Sequence, residues 1–288
     1  MNTCRLFGID RQVYYRAVNS QRKKKVVAGQ VVDMVLRVRE RMPRLGTRKL
    51  YYKLYPVLKE LSVGRDRLFK IMKANHLEIE PKRQYHVTTN SHHRFRKHKN
   101  LVEHLRAERP EQIWVSDITY IGSRANPMYL SLVTDAYSKK IMGYNVSDSL
   151  NALGAVSALK NALSSRKYID EELIHHSDRG LQYCCDDYQE LLSKHNVLCS
   201  MTEKYDPYQN AVAERVNGIL KQEFIGGIQV NDIKLMKLLI RQSIHIYNQE
   251  RPHWSCWMNT PNLMHQQREI KIKSYKTKNS TMNIHDAT

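Results

Sequence analysis

Three acids stand out by their type and spacing: Asp117, Asp178 and Glu214. Asp117 lies in the middle of Trp114-Val115-Ser116-Asp117-Ile118-Thr119-Tyr120-Ile121. In a strand, Ile113, Val115, Asp117, Thr119 and Ile121 share one face, and Trp114, Ser116, Ile118 and Tyr120 share the other. Both faces are largely apolar, which predicts a central strand. Asp178 follows a second apolar run, Glu172-Leu173-Ile174-His175-His176, in a polar turn closed by Gly180. Glu214 falls in a helix opened by Asn210-Ala211-Val212-Ala213, and 35 residues separate it from Asp178. An ionised carboxylate among apolar neighbours needs a cation or dense hydrogen bonding. Several carboxylates in one place raise one another's pKa, and a divalent cation reverses that. Mg²⁺ takes oxygen ligands and keeps several waters, which leaves room for phosphate oxygens. Two such ions about 3.5–4 Å apart activate an attacking oxygen and stabilise a leaving one. The pattern therefore points to metal-assisted displacement at a phosphodiester. Taken singly, Asp178 also reads as a turn residue and Glu214 as a solvated helix residue. A fourth acid, Asp135, sits at a hairpin and reads as structural, in an Asx-turn with Ser138.

The elements that must position these acids follow from the hydrophobic pattern. Residues 129–134 and 140–146 read as two more strands after 113–121, joined by hairpins into an antiparallel trio. A helix over 151–164 turns Ala152, Val156, Leu159 and Leu163 inward. Then come a strand over 172–176, a helix over 183–195, a short strand over 197–200 and a helix over 210–224. This order predicts an α/β fold, a mixed five-stranded sheet with flanking helices. It resembles the ribonuclease-H-like fold. On the helix from Asn210, Val212, Val216, Ile219 and Leu220 form one stripe at roughly 100° per residue. Asn210, Glu214, Asn217 and Lys221 fall opposite, so Lys221 projects with Glu214; a solvated face predicts the same. A last helix over 233–247 carries Leu235, Leu238, Leu239, Ile240 and Ile244, and Arg251-Pro252-His253 ends it.

Ahead of the strands the chain is a polycation. Residues 1–109 hold 27 Lys/Arg against 9 Asp/Glu, whereas residues 110–288 hold 20 against 19. Such asymmetry is the footprint of a nucleic-acid binder, with a solubilising basic surface as the bland alternative. Asp10 reads as the N-cap of a short helix from Arg11 to Arg16, and Arg22–Lys25 as a solvated or phosphate-facing run. There is no room before Gly8 for a full first helix. Helices are expected over 28–41, 48–61 and, capped by Ser62, from Arg65 to Lys73. The short link Leu61-Ser62-Val63-Gly64 suits a DNA-binding helix-turn-helix, with Arg65, Arg67, Lys70 and Lys73 as phosphate or base contacts. Residues 79–100 read as a basic linker with interleaved aromatics and histidines, and the end of the chain, with its four lysines after residue 269, as a disordered tail. Five cysteines without a CxxC pair argue against a disulfide framework or a thiolate zinc site. No run approaches the roughly 18 apolar residues of a membrane span, and no signal core opens the chain, so a cytoplasmic protein is expected.

The motifs around the three acids, with Gln182-Tyr183 and Leu220-Lys221-Gln222-Glu223, resemble the OrfB-type insertion-sequence transposases (insertion-sequence family three). These belong to the DDE integrase-core superfamily shared with retroviral integrases. Tyr247-Asn248, Arg251-Pro252-His253 and Thr260-Pro261 resemble that family's C-terminal signature. The resemblance implies that Asp117, Asp178 and Glu214 are the catalytic and metal-binding triad, working with Mg²⁺ or Mn²⁺, two ions per site. It implies that Lys221 contacts the transposon end, with Asn210 and Arg179 of the same motifs, and Arg48 of the helix-turn-helix region, on the DNA side. The implied activity is that of a DNA transposase, a polynucleotidyl transferase of DNA recombination and integration. It would cleave and transfer strands at terminal inverted repeats, as a homo-oligomer on double-stranded DNA in the bacterial nucleoid. Many relatives act as a frameshifted fusion with an upstream OrfA-type protein, and no leucine-zipper heptads occur here. The alternative is thus a non-catalytic DNA-binding regulator of transposition, active only within such a fusion. A third reading is a nuclease that cuts without joining. The expected divisions are 1–78 (helix-turn-helix region), 79–110 (basic linker), 111–226 (catalytic core), 227–268 (C-terminal helical extension of the core) and 269–288 (tail). Two departures from the family pattern are Gln209 before Asn210 and the bulky segment Trp254-Ser255-Cys256-Trp257.

Overall fold

The computed structural model describes residues 8–80, 98–123, 126–203, 210–226 and 228–273. Most of the basic linker, Gln209 and the tail from residue 274 lie outside these. The chain divides into two compact units, Met1–Lys82 and Arg83–Thr288.

The first unit is helical. Helix α1 runs from Arg11 to Arg41 without interruption, and the Asp10 side chain accepts from the Gln12 N–H at its start. Two helices separated by a charge run were expected here. Nothing between Arg16 and Gln30 breaks a helix: there is no proline, and Gly29 faces open space. The expected helix over 48–61 is instead two, α2 (Thr47–Lys53) and α3 (Tyr55–Glu60). Pro56 causes the break, since it has no N–H to donate and suits a first helical turn. Helix α4 (Arg65–Ala74) has Gly64, not Ser62, at its N-cap, because Ser62 takes a left-handed φ of 54° that turns the chain out of α3. Val31, Val35, Leu50, Leu58, Leu68 and Met72 form the buried interior of this unit.

The second unit is an α/β fold of the ribonuclease-H-like kind. Strands β1 (Ile113–Gly122), β2 (Pro127–Asp135) and β3 (Ile141–Ser147) pair antiparallel. Strands β4 (Leu173–Ser177) and β5 (Val197–Met201) pair parallel on the other side of β1, so the order is β3-β2-β1-β4-β5. The central position expected for the Asp117 strand is the one found. Helix α5 (Ala152–Ser164) crosses β3 at Gly143, where a Cβ would fall 2.2 Å from the Ala158 carbonyl oxygen. Only bare backbone allows that approach. The helix expected over 183–195 is split at Cys185 into α6 (Leu181–Cys184) and α7 (Asp186–Lys194). Asp186 and Asp187 in the first turn of α7 favour a fresh helix start there.

Helix α8 (Ala211–Ile219) passes into a π-helical turn, Leu220–Ile225. Helix α9 (Ile233–Gln249) follows. Its buried stripe is Met236, Ile240, Ser243, Ile244 and Tyr247, while Leu235 and Leu238 are exposed, contrary to the expectation from apolar spacing. The end of α9 sets its rotation: the Tyr247 hydroxyl donates to the Lys139 carbonyl, and Asn248 exchanges two hydrogen bonds of 3.0 Å with the backbone of Ile141. Arg251 then grips Glu223 through Nε and Nη2 at 2.7 and 2.6 Å. Thr260 caps the short helix α10 (Pro261–His265), which delivers His265 between Glu111 and Asp135. The C-terminal signature residues thus dock this extension onto the sheet.

Candidate active site

Parallel pairing sets Val115 beside His176. Continuing by one pleat brings Asp117 level with Asp178, which lies just past the end of β4. Asp178 Oδ1 accepts from the Gly180 N–H at 3.0 Å, as the turn reading expects. The helix bearing Glu214 lies along β1 and is fastened to it in sequence order. Asn210 Nδ2 donates to the Ser116 carbonyl at 3.0 Å, Asn217 Nδ2 to Asp117 Oδ2 at 2.8 Å, and Lys221 Nζ to Thr119 Oγ1 at 3.4 Å. Asn210, Asn217 and Lys221 of the polar face thus bond to β1, while Glu214 itself is exposed. The π-turn begins just before Lys221, and lets Lys221 lean toward β1 while Glu223 meets Arg251. Such turns are common at functional sites.

The three carboxylates act on one another. Burial, then the charge of Asp178, and to a lesser degree Glu214, push the Asp117 carboxyl up to about 7, against hydrogen bonds from Asn217 and the Ile118 backbone. Burial and Asp178 also raise Glu214. Asp178 is thus coupled to both other acids. Burial lowers the Lys221 ammonium, while Asp117 works in the opposite direction. The buried Tyr183 phenol is raised well above its ordinary range by burial and by the nearby Asp178 and Asp117.

The donor set fits a hard divalent cation. It is all oxygen, and it is short of positive charge. Tyr183 Oη and Asn217 Oδ1 are buried without a protein hydrogen-bond partner, which suits ordered water beside an ion. Among the described residues no three His, Cys, Asp or Glu side chains stand close enough together to hold a metal as they are. Mg²⁺ uses only one or two carboxylates and completes its shell with water and phosphate, so an open group of acids is compatible with it.

The other predicted residues are spread more widely. Asn210 is buried and serves as the tether to Ser116. Arg179 follows Asp178 in the same turn and is half-buried. In the first unit Arg65, Lys70 and Lys73 share the exposed arc of α4, and Arg65 pairs with Asp66 at 2.9 Å. Arg48 is exposed on α2. Arg67 points away from that arc, into a cavity of about 530 Å³ that Arg16, Lys23 and Lys24 of α1 also line. Asp135 forms the Asx-turn expected of it, accepting from the Ser138 N–H and hydroxyl at 2.6 and 2.7 Å. Asn217 and Tyr183 lie beside the acids; the sequence set Asn217 on the Glu214 face and Tyr183 in a motif, without a role for either. Asn217 follows Glu214 by three residues on one helix face, which was the available signal.

Two profiles of the integrase core domain match the chain, over residues 107–207 and 195–261. A 31 kDa protein of insertion element IS600 from Shigella sonnei is 33% identical over 254 residues, 87% of this chain and 92% of that one. Transposase InsF of insertion sequence IS3A from Escherichia coli is 37% identical over 160 residues, 55% of each chain, so that match spans about half of its length. Among solved structures the chain is similar to the HTLV-2 integrase catalytic core domain in complex with magnesium. That match has a TM-score of 0.44 and 18% identity, and covers 56% of this chain and 99% of that one. A simian T-cell lymphotropic virus intasome chain gives a TM-score of 0.48 at 16% identity, over 82% and 81% of the two chains. On this evidence the chain belongs to the IS3-family insertion-sequence transposases, DDE-type polynucleotidyl transferases built on an integrase core.

Proposed function

We propose that Asp117, Asp178 and Glu214 form the catalytic triad of a DNA transposase that cleaves and joins strands at the terminal inverted repeats of its element, using Mg²⁺ or Mn²⁺. The observation that carries this reading is the register that sets Asp117 level with Asp178, with the helix of Glu214 bonded to Asp117 through Asn217; burial and the charges of Asp178 and Glu214 push Asp117 up to about 7. Such a group is poorly stable as three bare anions and is stabilised by divalent cations. Bound between these carboxylates, the ions would polarise the scissile phosphate and lower the pKa of the attacking hydroxyl. Asp117 and Asp178 would hold them from the sheet and Glu214 from the helix. Asn217 fixes the Asp117 carboxylate by its 2.8 Å bond. Lys221 balances the negative charge of the acids and would engage a phosphate of the transposon end. The helix-turn-helix region, through the exposed arc of α4, would hold the same DNA.

Asp178→Asn should abolish metal-dependent cleavage of an inverted-repeat duplex, a loss of more than a thousandfold for a metal-holding acid, while duplex binding stays within about twofold. Cleavage at the wild-type rate would remove Asp178 from the triad. Joining of labelled terminal-repeat oligonucleotides, with and without an upstream OrfA-type protein, separates the enzyme from the regulator. Binding with no metal-dependent nicking in either case would favour the non-catalytic reading, which the cationic cavity between α1 and α4 also supports.

A further inference from the structure

At the sheet margin opposite β5, a groove of about 610 Å³ runs along β3 between α5 and α9. Lys234, Lys237 and Arg241 of α9 line it, with Tyr144, Asn145 and Asn161. The three cations stand at i, i+3 and i+7, so they form one stripe with steps of about 4.5 and 6 Å along the helix axis. All three are exposed, and none is paired with a carboxylate among the described residues. No acid lines the groove. Residues 110–288 hold 20 basic against 19 acidic side chains, so three cations without an acid are a local concentration and not a share of a general excess.

The sheet register places this groove relative to the acids. Asp117 lies opposite Leu132, and Leu132 lies opposite Tyr144. Residues directly opposite one another share a face of the sheet, and two strand spacings amount to about 10 Å. That is about three base-pair steps at roughly 3.4 Å each. Arg241 sits close enough to oppose the burial-driven rise of the Tyr144 phenol.

We propose that Lys234, Lys237 and Arg241 bind the phosphodiester backbone of the duplex whose strand is held at Asp117, about three base pairs from the reacting phosphate. This rests on the reading of the chain as acting on DNA. The spacing of the cations suits successive phosphates of one strand, and Asn145 and Tyr144 supply uncharged donors to the same backbone. A second copy of the chain is the other possible occupant. A face shared by two copies would bring cation against cation, with no acid in the groove to answer them.

The test is duplex binding by the full chain across a salt series, comparing wild type with Lys234→Gln/Lys237→Gln/Arg241→Gln. Loss of three phosphate contacts should flatten the slope of log K against log salt by about 2.7, at roughly 0.9 per contact. Lys23→Gln/Lys24→Gln serves as the comparison in the first unit. Wild type that binds no duplex would remove the DNA reading itself. Wild type that binds, with an unchanged slope in the triple variant, would overturn the groove alone, as would loss of self-association at unchanged slope. Should the triple variant not fold, a photo-crosslinking residue at Leu238, which lines the groove, gives a second readout. Crosslinks to DNA a few bases from the cleavage position are expected, and crosslinks only to another protein chain overturn the proposal.

Discussion

At the scale of single residues, Asp117 is more dependent on its surroundings than its strand suggests. Burial, Asp178 and, less strongly, Glu214 push its pKa up, and the Asn217 amide is the main influence that pulls it down. Removing that donor should move the acidic limb of the pH–rate profile to higher pH. A hydrogen bond to a charged group contributes about 1.5–3 kcal/mol, so Asn217→Leu should lower cleavage near neutral pH by roughly tenfold or more. A profile that falls in height without moving along the pH axis would instead assign Asn217 to packing alone. The three acids were legible as a set because each sits in a distinctive local pattern: mid-strand, strand end and helix start. Asn217 was not, since an amide on a polar helix face looks the same whether it meets solvent or a carboxylate. Asn210 shows a structural tie that its motif did not announce. Its place in a motif marked it as important, and its amide ties the helix start to Ser116.

At the scale of elements, the open edge of β3 is plugged by side chains. Asn248 satisfies both the N–H and the carbonyl of Ile141, Ser165 donates to the Met142 carbonyl, and Asn161 donates to that of Tyr144. An unprotected edge is a template for strand addition from another chain, and these bonds remove part of it. Asn248→Ala gives up two of them. At about 1 kcal/mol per bond, with added cost if the groups stay buried, a loss of about 2 kcal/mol should show in the urea midpoint, together with greater aggregation. An unchanged midpoint would mean that α9 is held by Tyr247 and Arg251 alone. Strands and their order were readable because alternation and continuous apolar runs are strong signals. Helix rotation was not: Leu235 and Leu238 outnumber Met236 as apolar candidates, yet the anchors at Tyr247 and Asn248 decide which face turns inward. The break at Leu54 could have been read from Pro56, whereas the π-turn at Leu220–Ile225 leaves no mark in composition.

At the scale of the whole molecule, positive charge concentrates ahead of the acids and the C-terminal extension closes on a buried polar network. His265 Nε2 lies 3.2 Å from Glu111 Oε1, and its Nδ1 lies 3.8 Å from Asp135 Oδ1. Burial opposes the imidazolium, but hydrogen bonds to Asp135 and Glu111 outweigh it and raise the His265 pKa. Burial would raise both acids, yet their hydrogen bonds lower them. A raised folded-state histidine contributes stability that is complete below its unfolded value near 6.5 and disappears as pH climbs through the folded value. The lowered acids contribute stability above the ordinary carboxylate range and lose it as pH falls. Breaking a buried charge network from one side costs about 3–5 kcal/mol. His265→Ala should therefore destabilise by about that much near pH 6 and by clearly less near pH 9, as read from urea unfolding of the full chain. An equal penalty at both values would show that the ring acts as a neutral packing group. Among the described residues no helix is long and apolar enough to cross a membrane.

The bulky segment Trp254–Trp257 has a structural use. The Lys273 ammonium sits 3.9 Å from the Trp254 ring centre and 4.1 Å from that of Trp257, and Trp257 Nε1 donates to the Lys271 carbonyl at 2.8 Å. The chain has three tryptophans, and the third, Trp114, is fully buried. Two of its three indoles thus hold the segment 271–273, and the remaining one reports on the core. The fluorescence of the unlabelled protein should therefore contain two separable signals. A blue-edge component from Trp114 should follow global unfolding, and a red-edge component should follow whether Lys273 is seated.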